Sequence, residues 1–245
     1  MKKYFAKAFL GLCALGTSTV AFAQDAAAPA VESGMHQALK TKFIEGGADF
    51  MSLVAIALIF GLAFCLERII YLNLAETNSS KLLKGIEEAL YQGDVEAAKA
   101  IARDTRGPIA SIAYQGLMRI DQGVDVVERS IVSYGGVQGG LLEKNLSWVT
   151  LFIAMAPSLG FLGTVVGMIM AFDKIEQVGD ISPTVVAGGM KVALITTVGG
   201  LIVALILQIF YNYLLSKLES LLNQMEDASI SLIDLVIKYN LKFKK

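Results

Sequence analysis

The sequence predicts an all-α membrane protein with three transmembrane helices and extended cytoplasmic helices, after a cleaved signal peptide. Of its 245 residues, 55% are hydrophobic and only 18% are charged, and the mean hydropathy is +0.59. In a soluble domain, about a quarter of the residues are charged. Three apolar runs are each long enough to cross a hydrocarbon core of about 30 Å. Composition and run length therefore both indicate a chain that crosses a lipid bilayer three times.

The first 23 residues have the parts of a secretory signal peptide. A start with three lysines comes before an apolar stretch, and the segment ends in the small-residue cleavage site Ala21-Phe22-Ala23. The alternative is an uncleaved first span, although this apolar stretch is short for a bilayer. Cleavage after Ala23 makes residues 24–49 a periplasmic N-terminal segment.

The apolar runs divide the rest of the chain. In order, we expect a transmembrane helix over 50–74, a cytoplasmic helical region over 75–144, a transmembrane helix over 145–172, a periplasmic loop over 173–182, a transmembrane helix over 183–216, and a cytoplasmic helix with a basic tail over 217–245. The 75–144 region holds eight lysines and arginines, whereas the 173–182 loop holds one, so the positive-inside rule places the former in the cytoplasm. The apolar pattern continues past Ser216, which predicts one long helix from the third span into the last segment.

Two local features leave alternatives open. Glu67-Arg68 interrupts the first apolar run near its inner boundary, and either an interfacial anchor or a contact with a partner or lipid head group accounts for it. The glycine-rich segment 134–140 predicts a flexible joint or a close helix contact. It lacks the lysine and the preceding strand of a phosphate-binding loop.

The composition excludes several classes of protein. A net charge of −1 gives no argument for nucleic-acid binding. One histidine, His36, and two cysteines, Cys13 and Cys65, do not provide a metal site. No cofactor and no enzymatic activity are predicted.

The second and third spans each carry a stripe of small residues with one aligned hydroxyl group. On a helical wheel, Thr164 lies on the face of Gly160, and Thr197 lies on the face of Gly200. Two such stripes could border a narrow pore lined by Thr164 and Thr197. Ordinary packing, with each hydroxyl bonded to a carbonyl one turn earlier, is the alternative.

The glycines of these spans are candidates for helix packing. Small residues let helices approach closely in a bilayer, where no hydrophobic force drives their association. The candidate packing positions are Gly160, Gly163, Gly167 and Gly200.

Lys191 is the only charge deep within either span. An ionisable residue inside a membrane is a functional candidate, but a lysine near a helix end also snorkels to the interface. Neither span contains an aspartate or glutamate. A proton path needs a titratable group, so any such path requires a carboxylate from a partner.

Residues 156–169 and 193–201, followed by Tyr211-Asn212, resemble the two signature spans of the MotA/TolQ/ExbB proton-channel family, with ExbB proteins as the closest members. The order of one span, a large cytoplasmic region, two spans and a cytoplasmic tail is similar as well. The resemblance runs from about Phe50 to the C-terminus. It implies that Thr164 and Thr197 match the pore-facing threonines of the family.

The resemblance also implies a function. It implies the channel-forming stator subunit of a proton-motive-force-driven energy transducer in the bacterial inner membrane, with a periplasmic N-terminus and a cytoplasmic C-terminus. The implied assembly is a homopentamer around an ExbD-like single-span protein that carries an aspartate, coupled to outer-membrane import by a TonB-like protein. A TolQ-like subunit for envelope integrity and a non-conducting membrane scaffold are the alternatives. One departure is Val192, which stands where ExbB proteins often have a glutamate.

Overall fold

A computed structural model describes residues 35–179 and 183–243, so the predicted signal peptide over 1–23 lies outside the described residues. The chain divides into two compact units, Met1–Lys42 and Phe43–Lys245. The described residues of the first unit belong to helix α1, Met35–Glu45. The second unit is helical almost throughout, and no strand occurs among the described residues.

Seven further α-helices follow α1 among the described residues. They are α2 (Ala48–Ala75), α3 (Ser79–Tyr91), α4 (Val95–Asp104), α5 (Pro108–Leu117), α6 (Val124–Glu143), α7 (Leu146–Val178) and α8 (Pro183–Phe243), with a 3₁₀ turn at Ile120–Gln122 between α5 and α6.

Three helical stretches are long and apolar enough to cross a membrane, by length and composition. They are Ala48–Tyr91, Val124–Gln177 and Val186–Phe243. The predicted class of an all-α membrane protein with three spanning helices is therefore confirmed. α2 packs beside the α7–α8 pair through aromatic rings. The centroid of Phe64 lies 5.8 Å from that of Trp148, and the centroid of Phe60 lies 6.1 Å from that of Phe152.

Three helices of the polar region, α3, α5 and α6, pack against α8, and α4 packs against α3 and α5. Their ends are defined by capping and by glycine. The Asn78 side chain accepts a hydrogen bond from the Lys81 amide, and the Asp94 side chain accepts one from the Ala97 amide. Gly107 has a φ of +113° directly before Pro108, the first residue of α5. Large aliphatic side chains fill the space between these helices, including Ile86, Leu117, Ile131 and Leu232.

α8 is one continuous helix of 61 residues, as the unbroken apolar pattern past Ser216 predicts. α6 also runs unbroken through the glycine-rich segment 134–140, so no joint interrupts the helix there. A Cβ on Gly139 would meet Leu222 of α8 at 3.4 Å. At this glycine the close helix contact is therefore the correct alternative.

α7 extends beyond the predicted span 145–172, into the segment 173–182 that was predicted to be a loop. α7 continues to Val178, and Gly179, with a φ of +74°, donates its amide proton to the carbonyl of Ile175 at 2.9 Å. The charged residues Asp173, Lys174 and Glu176 are exposed at the end of this helix. The apolar run ends at these residues, but the helix continues, because charged side chains leave its backbone hydrogen bonds intact. A glycine in the left-handed conformation, in contrast, ends them.

Candidate functional site

The hydroxyl groups of Thr164 on α7 and Thr197 on α8 are hydrogen-bonded to each other. Thr164 Oγ1 also lies 3.1 Å from the carbonyl oxygen of Ala193 and 3.2 Å from that of Gly160. Thr197 Oγ1 lies 3.3 Å from the same Gly160 oxygen. Each hydroxyl has one proton to donate. One arrangement that satisfies both has Thr197 donating to Thr164 and Thr164 donating to Ala193. Residues from two separate spans thus form one polar site, which we call the threonine pair.

The predicted packing glycines lie where α7 and α8 of the same chain meet. A Cβ on Gly160 would come within 2.8 Å of the carbonyl oxygen of Thr196, and a Cβ on Gly163 would come within 2.9 Å of the Thr196 side chain. A Cβ on Gly167 would lie 3.4 Å from the backbone of Ala193. Real Cβ atoms essentially never come within 3.0 Å of a neighbour, so α7 and α8 approach as closely as they do because Gly160 and Gly163 have no side chain, whereas Gly167 leaves room for an ordinary van der Waals contact.

Gly200 is the tightest of the four positions. A Cβ there would collide with the carbonyl oxygen of Ala156 and stand 3.1 Å from the Cα of Gly160. Gly200 and Gly160 therefore face each other directly across the α7–α8 contact. Thr197 is one turn of α8 away from Gly200, so this contact sets the height at which Thr197 meets Thr164.

Thr196 is a third hydroxyl residue at this contact, and the sequence-based site does not include it. Its side chain is fully buried. Its Oγ1 donates to the carbonyl of Ala193 at 2.8 Å, the carbonyl that also accepts from Thr164. Thr196 lies four residues before Gly200, so it shares the packing face of α8. This spacing could have identified it from the sequence.

Lys191 lies away from the threonine pair. Its Nζ is 2.8 Å from Oε1 of Glu45, the last residue of α1, and about half of the Lys191 side chain is exposed. The ion pair therefore joins the segment before α2 to the start of α8. Val192, the next residue, packs near Gly47, the residue that precedes α2.

The Glu67–Arg68 pair lies where α2 meets the joint between α6 and α7. Arg68 is 3% exposed, its Nε and Nη2 donate to Glu67 at 2.7 and 2.6 Å, and its guanidinium lies 4.5 Å from the centre of the Tyr71 ring. Glu67 accepts a hydrogen bond of 3.5 Å from Asn145, the left-handed residue between α6 and α7. Arg68 donates to the carbonyl of Leu141 at 3.5 Å. The buried guanidinium thus stabilises a contact within the chain.

The chemistry of the threonine pair is limited to hydrogen bonding. A threonine hydroxyl donates one proton and accepts others, but it does not titrate in the physiological range. α7 and α8 contain no acidic residue in the predicted spans 145–172 and 183–216. Among the described residues, no group of three histidine, cysteine, aspartate or glutamate side chains is placed to hold a metal ion.

Comparison with known proteins gives one family. Residues 104–227 match the MotA/TolQ/ExbB proton channel family, and this match covers just over half of the chain and includes the whole threonine pair.

Individual relatives carry ExbB names. The chain is 28% identical over 186 residues to a biopolymer transport protein ExbB homolog of Methanothermobacter thermautotrophicus, which covers 75% of this chain and 65% of that protein. It is 37% identical over 89 residues to the biopolymer transport protein exbB1 of Vibrio cholerae, covering 33% of this chain and 39% of the relative. The ExbB protein of Aquifex aeolicus is 36% identical over 78 residues, which covers 32% of this chain and 53% of the relative. The chain thus spans less than two thirds of the length of each of these relatives.

Proposed function

Because the chain belongs to the MotA/TolQ/ExbB proton channel family, we propose that it is the channel-forming stator subunit of a proton-motive-force-driven energy transducer in the bacterial inner membrane. It forms a homopentamer around the span of an ExbD-like protein whose aspartate takes the proton. A TonB-like protein transmits the resulting motion to outer-membrane import. The N-terminus is periplasmic and the C-terminus is cytoplasmic.

The threonine pair is the observation that carries this proposal. Two hydroxyl groups from different spans meet at one height of the α7–α8 contact and are half-buried in the single chain. Hydroxyl groups that both donate and accept can order water and can solvate a carboxylate in either protonation state. A partner that places an aspartate beside the pair would therefore complete a site that binds and releases a proton.

The pair also lies on the side of the α7–α8 contact that α2 does not cover. On α7, Phe152 stacks on α2, and Thr164 is turned by about 120° from it at 100° per residue. On α8, Gly199 lies near Met51 of α2, and Thr197 is turned by about 160° from it. Within one chain this side is therefore open to a partner helix.

The lack of acidic residues in the two spans supports the need for that partner. A proton relay inside a membrane ordinarily uses aspartate, glutamate or histidine. Neither span offers one of these three residues. The chain therefore supplies the polar wall of the path, and the partner supplies its titratable group.

A non-conducting scaffold is the competing function, and one observation favours it. Both hydroxyls of the threonine pair already lie within hydrogen-bonding distance of the Gly160 carbonyl. Hydrogen bonds from threonine hydroxyls to nearby backbone carbonyls are common in transmembrane helices. The two functions differ in whether the assembled complex moves protons.

Thr164→Val and Thr197→Val test the proposal, because valine keeps the shape of threonine and removes its hydroxyl. The complex is purified with its partner and reconstituted in lipid vesicles that contain a pH-sensitive dye. We expect each substitution to lower the partner-dependent proton flux by about a hundredfold, the effect of losing roughly 3 kcal/mol of hydrogen bonding to a charged group. Assembly with the partner should be unchanged.

Thr150→Val is the matched control. Thr150 is exposed on α7, and its hydroxyl donates to the carbonyl of Ser147 at 2.9 Å, away from the pair. This variant should conduct like the original chain. Undiminished flux in both Thr164→Val and Thr197→Val would contradict the assignment of the pair. A complex without any proton flux would identify the chain as a scaffold.

A further inference from the structure

A cavity of about 430 Å³ lies between the α1–α2 turn and the ends of α7 and α8. Its walls come from three parts of the second unit, namely the turn around Gly47, the last turns of α7, and the first turns of α8. At about 30 Å³ for each water molecule, the cavity has room for several waters. In the proposed orientation it lies at the periplasmic end of the spans.

The cavity is amphiphilic. Glu45, Asp49, Lys174 and Thr184 contribute charged or hydroxyl-bearing side chains to its lining. Because water occupies a cavity only when polar groups can hydrogen-bond to it, these side chains make hydration favourable.

Glycine makes up much of the rest of the wall. Gly163, Gly167, Gly188 and Gly189 all line the cavity. No atom lies within 4 Å of the position that a Cβ on Gly188 would take. A larger side chain at this position would therefore enter open space, and the cavity exists partly because glycine stands there.

The cavity reaches the threonine pair through a single buried side chain. Gly163 and Val192 line the cavity, and Thr196 contacts both, since it packs on Gly163 and its Oγ1 lies 3.2 Å from the carbonyl oxygen of Val192. Thr196 then shares the Ala193 carbonyl with Thr164. Thr196 thus links the cavity wall to the carbonyl that accepts from the pair.

We infer that this cavity is a hydrated vestibule through which protons from the periplasm approach the threonine pair from within the subunit. The inference rests on the proposed function, which supplies the carboxylate at the end of the route. Along the vestibule, each water oxygen forms one O–H bond as it gives up another. At the Thr196 layer, the Thr196 hydroxyl turns away from the Ala193 carbonyl that it shares with Thr164, gives its proton to Thr164 Oγ1 and takes one from the last water. Thr164 in turn gives its own proton to the carboxylate of the partner. No residue of this chain is left altered by the transfer.

Cysteine labelling tests whether water fills the cavity. Cys13 and Cys65 are first replaced by alanine, and Val166→Cys is compared with Val165→Cys. Val166 lines the cavity, whereas its neighbour Val165, at nearly the same depth on α7, does not and is exposed on the outside of the single chain. A membrane-impermeant thiol reagent added from the periplasmic side reacts with a hydrated thiolate. It should therefore label Val166→Cys at least about tenfold faster than Val165→Cys. Equal rates, or no reaction at Val166→Cys, would overturn the inference.

Gly188→Leu tests whether the vestibule carries protons. We expect the leucine to occupy the cavity, to slow labelling of Val166→Cys, and to lower proton flux by about tenfold because an apolar constriction excludes water. Gly136→Leu is the matched control, since Gly136 lies in the interior of α6 and also has no atom within 4 Å of its Cβ position. The control should leave the flux unchanged.

The outcomes separate this inference from the proposed function. Loss of flux in both Gly188→Leu and Thr164→Val supports both. Loss in Thr164→Val alone overturns the vestibule and leaves the proposed function standing. A complex of the original chain that conducts no protons overturns both.

Discussion

The two halves of α8 pack by different means. Along residues 183–211, the contacts with α7 are made by small residues, with Gly189 on Ala171, Ala193 on Gly167, and Gly200 between Ala156 and Gly160. Along residues 212–243, the buried side chains are large except for Ala228, and the large ones are Leu214, Leu218, Leu221, Met225, Leu232 and Val236. One continuous helix therefore contacts α7 by close backbone approach in its first half, where Val203 and Leu207 are the large buried side chains, and it packs by side-chain volume in its second half.

In the proposed topology, the first half of α8 lies in lipid and the second half lies in water, and this difference in solvent explains the two kinds of packing. In lipid, burying a leucine gains little, because the acyl chains are as apolar as the protein interior, so close packing and hydrogen bonds hold helices together. In water, each buried leucine or isoleucine contributes about 1.5–3 kcal/mol by leaving the solvent. In this topology, the change from small to large contacts along α8 accompanies its exit from the membrane.

The largest effect is expected from a truncation in the second half. Leu221 is 1% exposed, and Leu221→Ala removes its buried methyl groups and leaves a cavity. We expect a loss of about 2–5 kcal/mol of stability, measured as faster hydrogen exchange in α3 to α6. Exchange in the α7–α8 contact should change little. Uniformly faster exchange along the whole of α8 would contradict the separation of the two halves.

An intermediate effect is expected from adding a single methyl group in the first half. In Gly200→Ala, the new Cβ collides with the Ala156 carbonyl, so the two helices must move apart at a cost of about 1–3 kcal/mol. The change should appear as a lower thermal unfolding midpoint in detergent and as loss of proton flux through the displaced threonine pair.

Gly136→Ala is the opposite case. The position is open within a helix, and alanine is favoured there over glycine by about 1 kcal/mol, so this substitution should raise the midpoint. Identical shifts for Gly200→Ala and Gly136→Ala would show that helix propensity, and not helix contact, controls both sites.

The smallest effect is expected at the ion pair between Lys191 and Glu45. Both side chains are at least partly exposed, and exposed pairs contribute below about 1 kcal/mol. Lys191→Met and Glu45→Gln should each lower the unfolding midpoint slightly, and the double variant should add little to either single change. A strong loss of proton flux in Lys191→Met with assembly intact would instead assign the lysine a role in conduction.

Much of the helical arrangement was predictable from periodicity and composition. The three spanning helices, the continuous α8 and the presence of a hydroxyl among small residues in each of two spans all follow from local patterns of apolar and small residues. The extension of α7 to Val178 was missed, because charged residues resemble a loop when they end an apolar run. Gly179 is the residue that ends the helix.

Arg68 shows a second kind of miss. The buried positions of α2 are Val54, Ala57, Gly61, Cys65, Arg68 and Leu72, which recur at intervals of three or four residues. Arg68 fits this spacing, so its burial was indicated by position and obscured by its charge. The Leu141 carbonyl that accepts from Arg68 lies 73 residues away, and Asn145, which donates to the neighbouring Glu67, lies 78 residues from it. No local pattern identifies either contact.

Local patterns thus established which segments are helical, which faces are apolar, and that each of two spans carries a hydroxyl among small residues. These properties depend on neighbours within a few turns, and the sequence contains them. The meeting of Thr164 with Thr197, the burial of Thr196 and the cavity beside them depend on how far α8 is shifted along α7. That shift is set by contacts between backbones at Gly160 and Gly200. Such contacts join residues about 40 positions apart, so only the tertiary structure decides them.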